Sequence, residues 1–173
     1  MVRNTKIVII TVCALTIAVA VLAWLNRDSA AERMALEERG EFQIAAGGVK
    51  YSVTMGDLEE IGTRIIEANY KTNLMPPVKK EYTGVSLKSV LDYLGVDCSN
   101  VKRVSFSASD GYASAASISD ALNEDNCFIV FEEAGKPLGT RGSGGVGPYM
   151  VIFAKDRFSQ RWCKYLFEIT ISK

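Results

Sequence analysis

The chain has 173 residues, 48% of them hydrophobic, with 20 basic and 20 acidic side chains and no histidine. That length builds one domain with a sizeable core and leaves a short segment over. Balanced charge gives no global field toward nucleic acid, and the missing imidazole excludes Ser-His-Asp and Cys-His nucleophiles, histidine-ligated zinc or haem, and an imidazole pH switch.

Arg3 and Lys6 precede an uncharged apolar run over residues 7–25, with Trp24 at its far edge. At ~1.5 Å per residue such a helix crosses the roughly 30 Å hydrocarbon core of a bilayer. The basic flank predicts that residues 1–6 are cytoplasmic, 7–25 a transmembrane anchor and the remainder extracytoplasmic. The alternative is a cleaved signal peptide, for which Ser29-Ala30-Ala31 supplies small residues; the length of the apolar run favours the anchor. Both readings export the domain. Cys13 follows Val12 inside the run, which is the wrong setting for a lipid anchor. Residues 26–40 are charged, alanine-rich and closed by Gly40, a juxtamembrane helix or stalk. The globular domain is expected over residues 41–173.

Within it, residues 42–44 and 49–53 read as strands around the turn pair Gly47-Gly48. Thr54 caps a short helix over residues 55–61, and residues 63–71 read as a strand broken at Met75-Pro76-Pro77. The clearest helix is capped by Ser86, repeats Leu87, Val90, Leu91 and Leu94 at helical spacing, and closes at Gly95. Residues 101–108 alternate into the Asp110-Gly111 turn, and Ser117 or Ser119 caps a short helix through Leu122. Residues 128–131 and 148–153 are apolar enough for buried strands, separated by a turn over residues 132–137. The last strand is expected to set Tyr165, Phe167, Ile169 and Ile171 on one side and Leu166, Glu168 and Thr170 on the other. Strands outnumber helices and are joined mostly by loops, which makes the class α+β with mixed sheets and a few short helices.

Few residues carry chemistry. Gly142-Ser143-Gly144-Gly145-Val146-Gly147 matches GxGxxG, yet Pro148 and a strand follow where a dinucleotide site needs a helix, so the motif reads as a loop joining two strands. Lys155, Arg157, Arg161 and Lys164, with Arg141 upstream and Phe158 and Trp162 interleaved, form a basic cluster. It is either an anion site or a solvated loop, and alanine at Arg157 and Arg161 is expected to leave folding intact. Trp162 is assigned to the core. Cys127 and Cys163 read as buried thiols, Cys98 as the most exposed of the exported three, and their odd number allows at most one internal disulfide. Glu59-Glu60 and Glu132-Glu133 diverge as adjacent side chains and read as solvated surface, while Asp110 belongs to its turn.

Taken together, Tyr82-Thr83-Gly84-Val85-Ser86-Leu87 with its leucine helix, Val104-Ser105-Phe106, Ser109-Asp110-Gly111-Tyr112, Asp120-Ala121-Leu122, Gly135-Lys136-Pro137-Leu138, Gly147-Pro148, Lys155-Asp156-Arg157-Phe158-Ser159 and Arg161-Trp162-Cys163-Lys164 follow one another in an order that resembles the molybdopterin-binding domain of the sulfite oxidase family. The resemblance covers residues 41–173 and implies a molybdenum-bearing pterin held by its phosphate and pterin edges. In catalytic members a cysteine thiolate binds the metal shortly before the Thr-Gly-Val motif. Residues 67–73 here contain no cysteine, and the family's upstream arginine and histidine contacts are absent, so the metal loses its soft protein ligand.

Two functional classes follow. One is a non-catalytic, membrane-anchored binding module for a small anionic or pterin-like ligand, with Arg141, Lys155, Arg157, Arg161 and Lys164 as candidate contacts, or for an exported or membrane protein partner. The other is a molybdopterin-dependent oxidoreductase, or one using another redox cofactor, with an altered metal site.

Overall fold

A computed structural model describes residues 2–71 and 76–172. Thr72 to Met75, including the first part of the expected Met75-Pro76-Pro77 break, and the side chains of Arg3, Lys6, Ser29 and Ala30 lie outside the description. The chain divides into two compact units, residues 1–35 and 36–173. The first holds most of a single helix, α1 (Val2–Arg39), whose Ile7–Trp24 portion is exposed along its length and is apolar and long enough to cross a membrane, a property shared with export signals. Gly40, with φ of 64°, ends the helix. The compact unit therefore starts within the last turn of α1, where Leu36 is buried, a few residues ahead of the expected boundary at Glu41.

The second unit is built on two five-stranded sheets. The first contains β1 (Glu41–Ala46), β2 (Val49–Thr54), β5 (Arg103–Ala108), β6 (Ala113–Ser117) and β10 (Leu166–Ser172), in the order β2-β1-β10-β5-β6. β1 and β10 run parallel, whereas the other pairs in this sheet are antiparallel. The second sheet orders β3 (Arg64–Tyr70), β4 (Val78–Ser86) and β7 (Cys127–Glu133), with β8 (Lys136–Pro137) and β9 (Met150–Phe153) both on the far side of β7. The helices α2 (Met55–Ile61), α3 (Leu87–Tyr93) and α4 (Ile118–Ala121) are short. Each begins at the hydroxyl residue that the sequence nominates: Thr54 in a capping box with Asp57, Ser86 accepting from the Ser89 amide, and Ser117 accepting from the Asp120 amide. Leu87, Val90 and Leu91 turn the apolar stripe of α3 into the common core. Between the sheets, Phe106 of β5 meets Phe153 of β9 edge to face at 5.7 Å.

Three features depart from the sequence reading. β4 was not anticipated. Its first half is charged and partly exposed while its second half is buried without alternation, so no period of two is visible. β6 is built from Ala and Ser alone and gives no β-propensity signal. In β10 the expected alternation fails at its start, because a bulge between Leu166 and Glu168 shifts the register and places Leu166 in the core with Ile169 and Ile171.

The Thr-Gly-Val motif has a packing reason. A Cβ on Gly84 would sit 2.3 Å from the Ile129 carbonyl oxygen and 2.8 Å from the Val130 Cα, so β7 approaches β4 as closely as only glycine permits. Gly84→Ala should lower the unfolding free energy by about 1–3 kcal/mol through overpacking. Gly56→Ala, where an added Cβ meets Thr54 Oγ1 at 3.7 Å, should be neutral or slightly stabilising. Equal denaturant midpoints for the two variants would contradict this account of the motif.

Candidate functional site

The basic cluster of the sequence does not converge on one point. The guanidinium of Arg161 donates from Nε and Nη2 to both carboxylate oxygens of Asp156, at 2.7 and 2.6 Å, and from Nη1 to Asp120 at 3.0 Å. Its flat face lies 4.1 Å from the Phe153 ring centroid. Two carboxylates thus offset its charge and occupy three of its N–H donors, and they hold it protonated still more firmly than a free arginine. Lys155 points elsewhere, its ammonium donating to Asn123 at 3.3 Å while its amide donates to the Asn126 side chain at 3.0 Å. Arg157 is exposed and stands over Phe158, which Lys71 approaches at 4.3 Å. Arg141 covers the Tyr165 ring at 4.7 Å.

Lys164 is placed differently. Together with Asp110, Tyr112, Gln160 and Trp162 it lines an open cleft of about 280 Å³. Among the described residues it makes no ion pair, and its ammonium faces the Tyr70 ring at 5.7 Å. Trp162 is core, as its sequence setting implies, with its indole N–H donating to the Phe153 carbonyl and its ring against Tyr70 and Tyr82 at 5.8 and 5.7 Å. One edge of it nonetheless forms part of the cleft wall. Tyr112 is pinned by its hydroxyl to the Gln160 carbonyl and by its amide to the Asp110 carboxylate at 2.9 Å. Desolvation in the cleft pushes its phenol up, which keeps it a hydrogen-bonding group rather than an anion. Among the described residues the cleft is therefore lined by a cation with no ion pair, a carboxylate and two aromatic residues.

The backbone on either side of Lys164 is constrained. Tyr165 has φ of 52°, a left-handed conformation that costs a non-glycine residue about 1–2 kcal/mol. Its surroundings hold it there: the amide donates to Val146 O at 2.8 Å, the hydroxyl to Gly145 O at 2.9 Å, and its carbonyl accepts from the Ser109 amide at 2.9 Å. A Cβ on Gly147 would lie 2.6 Å from the Tyr165 Cα, and one on Gly145 would lie 2.2 Å from the Leu138 carbonyl oxygen. The glycines of the GxGxxG run thus serve a hydrogen-bonded loop packed on Tyr165.

The three thiols of the second unit are free, with Cys127 and Cys163 fully buried and Cys98 partly so. Burial pushes Cys163 up to about 12, with the Asp110 carboxylate adding to the effect. Cys127 rises through burial as well, with the nearby Arg161 opposing the shift. Cys98 is raised by desolvation and then by Asp97. Among the described residues no three His, Cys, Asp or Glu side chains gather in a way that could hold a metal.

Two outcomes test this geometry. Arg161→Ala should destabilise the domain by about 1–3 kcal/mol by leaving Asp156 and Asp120 facing each other, a correction to the expectation that this arginine is dispensable for folding. A denaturation midpoint equal to wild type would contradict it. In a Cys13→Ser background at pH 8, a thiol reagent should label Cys98 first and reach Cys127 and Cys163 only on unfolding, because the latter two are fully buried while Cys98 is partly accessible. Rapid labelling of Cys163 in the folded state would overturn its assignment.

Comparison with known proteins supports the fold and the lineage. Curated protein sequences give no match. Among solved structures the chain is similar to the sulfane dehydrogenase SoxCD from Paracoccus pantotrophus, with a TM-score of 0.63 and 14% identity, over 78% of this chain and 38% of that one. The chain thus spans well under half of that protein, and the likeness is one of fold. The family model described as the oxidoreductase molybdopterin binding domain matches residues 62–173. Over residues 62–173, from the strand before the Thr-Gly-Val motif to the last strand of the first sheet, this chain belongs to the oxidoreductase molybdopterin-binding domain family.

Proposed function

We propose that the protein is a membrane-anchored extracytoplasmic binding module that takes a small anionic or pterin-like ligand in the Lys164 cleft and performs no molybdenum chemistry. The observation that carries the reading is the contrast between two neighbouring cations. Arg161 has spent its charge on Asp156 and Asp120, whereas Lys164 faces an open cleft with an aromatic ring as its neighbour. An incoming oxyanion would gain a charge-assisted hydrogen bond from Lys164, and a planar ring could lie along the exposed Tyr112.

The metal fits this chain poorly. The family's tether is a thiolate. Here residues 67–73 carry no cysteine, and the three exported thiols are held in the protonated form by burial. The competing reading, an oxidoreductase with an altered metal site, would rest on Cys163, which lies between the cleft residues Trp162 and Lys164 in sequence. Its thiol is fully buried and is not among the side chains that line the cleft, and burial together with the nearby Asp110 carboxylate holds it protonated. The length, apolarity and basic flank of residues 7–25 support the anchoring part of this reading.

Titration of the full chain in detergent micelles with inorganic phosphate, followed by the NMR signal of the Trp162 indole N–H, should saturate in the wild type. It should weaken by about tenfold or more in Lys164→Ala, the loss of one charge-assisted hydrogen bond. An unmoved Trp162 signal, or an unchanged affinity in Lys164→Ala, would reject this cleft as the site. Stoichiometric molybdenum in protein purified from its native membrane would reject the non-catalytic reading.

A further inference from the structure

We infer that the last turn of α1 is part of the construction of the cleft: Glu37 positions the turn and the loop that aim Asp110, Tyr112 and Lys164, so that cleft occupancy and docking of this turn are linked. The inference rests on the cleft being a ligand site. The experiment below separates the two.

The Glu37 carboxylate accepts two hydrogen bonds from segments distant in sequence, one from the Arg141 amide at 2.7 Å and one from the Ser109 hydroxyl at 3.1 Å. Leu36 beside it is buried at 2% exposure, and the carbonyl of Gly40 accepts from the Tyr149 hydroxyl at 2.7 Å, so this turn is docked and not merely adjacent. Both partners of Glu37 lead to Tyr165. Ser109 gives its amide proton to the Tyr165 carbonyl, and the Arg141 guanidinium covers the Tyr165 ring. The result is a closed circuit, Glu37 to Ser109 to Tyr165 to Arg141 and back, with cleft residues attached at two places: Asp110 follows Ser109, and Lys164 precedes Tyr165.

Tyr165 gives the circuit two states to choose between. A tyrosine at positive φ stays there only while its neighbours over-determine it. Releasing Ser109 and Arg141 from Glu37 loosens two of those neighbours, and a change of φ at Tyr165 would swing Lys164 away from Asp110 and Tyr112. Linkage makes the effect reciprocal: a ligand that prefers the assembled cleft also favours the docked turn. The helix that carries the apolar segment thereby supplies a residue that the cleft needs.

The test is backbone amide exchange on the full chain in detergent micelles, comparing wild type with Glu37→Ala and with Glu37→Gln, which keeps one acceptor should the alanine variant fail to fold. The expected result is exchange faster by about tenfold at Arg141 and at Gly111 and Tyr112 in Glu37→Ala, a smaller increase in Glu37→Gln, and no change in Glu67→Ala, whose carboxylate pairs with Lys79 on the surface. Faster exchange confined to Arg141, with Gly111 and Tyr112 unchanged, overturns the inference, since a merely local role of Glu37 would give that pattern. With inorganic phosphate added to the wild type, slower exchange at residues 36–40 supports the linkage. A shift at Trp162 without any change at residues 36–40 overturns it. An unmoved Trp162 rejects the binding reading alone, and the variant comparison still decides the positioning role.

Discussion

The left-handed backbone of Tyr165 is the constraint on which the cleft depends. A residue with a side chain seldom occupies that region, and here it lies at the junction between the basic loop and the final strand. The bulge just after it, between Leu166 and Glu168, restores the core face of β10. The loop just before β9 must then be glycine-rich, because Gly145 and Gly147 come within backbone contact of Leu138 and Tyr165. The ring of Tyr165 and its polar groups are all in use, so the conformation is held by many weak terms and not by one strong one. The direction in which Lys164 leaves the chain is set as a consequence.

Charge is distributed around this frame in a way that separates structure from recognition. Arginine suits a fixed carboxylate fork, and Arg161 occupies one made by Asp156 and Asp120 while stacking on Phe153. That arrangement ties the basic loop to α4 and to β9. Lysine, with a single compact charge on a flexible stem, is left for the solvent side, where Lys164 stands at the rim of an aromatic wall. Two cations three residues apart thus have different surroundings, and the difference lies in their partners rather than in their type.

Much of the fold was legible in the sequence because it rests on local signals. Thr54, Ser86 and Ser117 cap the helices they should, Gly47-Gly48 turns the first hairpin, and the unbroken apolar run around Phe128 and Ile129 is a strand buried on both faces. β4 and β6 escaped for the opposite reason, since neither has alternation or β-branched residues enough to be seen without its neighbours. The site was legible only in outline. The cluster of Lys155, Arg157, Arg161 and Lys164 is apparent in the sequence, but that Arg161 is tied up in the fold depends on Asp120, some forty residues upstream in the chain. Glu37 gave no signal at all: it sits among charged helix formers, and its partners Ser109 and Arg141 are brought to it by tertiary structure.

Membership of the family fixes the frame and leaves open what the frame now holds. Its packing motif, Thr83-Gly84-Val85, is retained for the close approach of β7, while the thiolate that would tether a metal has no counterpart in the neighbouring strand. The most direct measurement is anomalous diffraction from crystals of the protein grown with tungstate, a heavy tetrahedral oxyanion. The account predicts tungsten beside the Lys164 ammonium, walled by Tyr112 and Trp162 and bonded to no sulfur. Tungsten bonded to a cysteine sulfur, or tungsten found on Arg161 with the cleft empty, would contradict it.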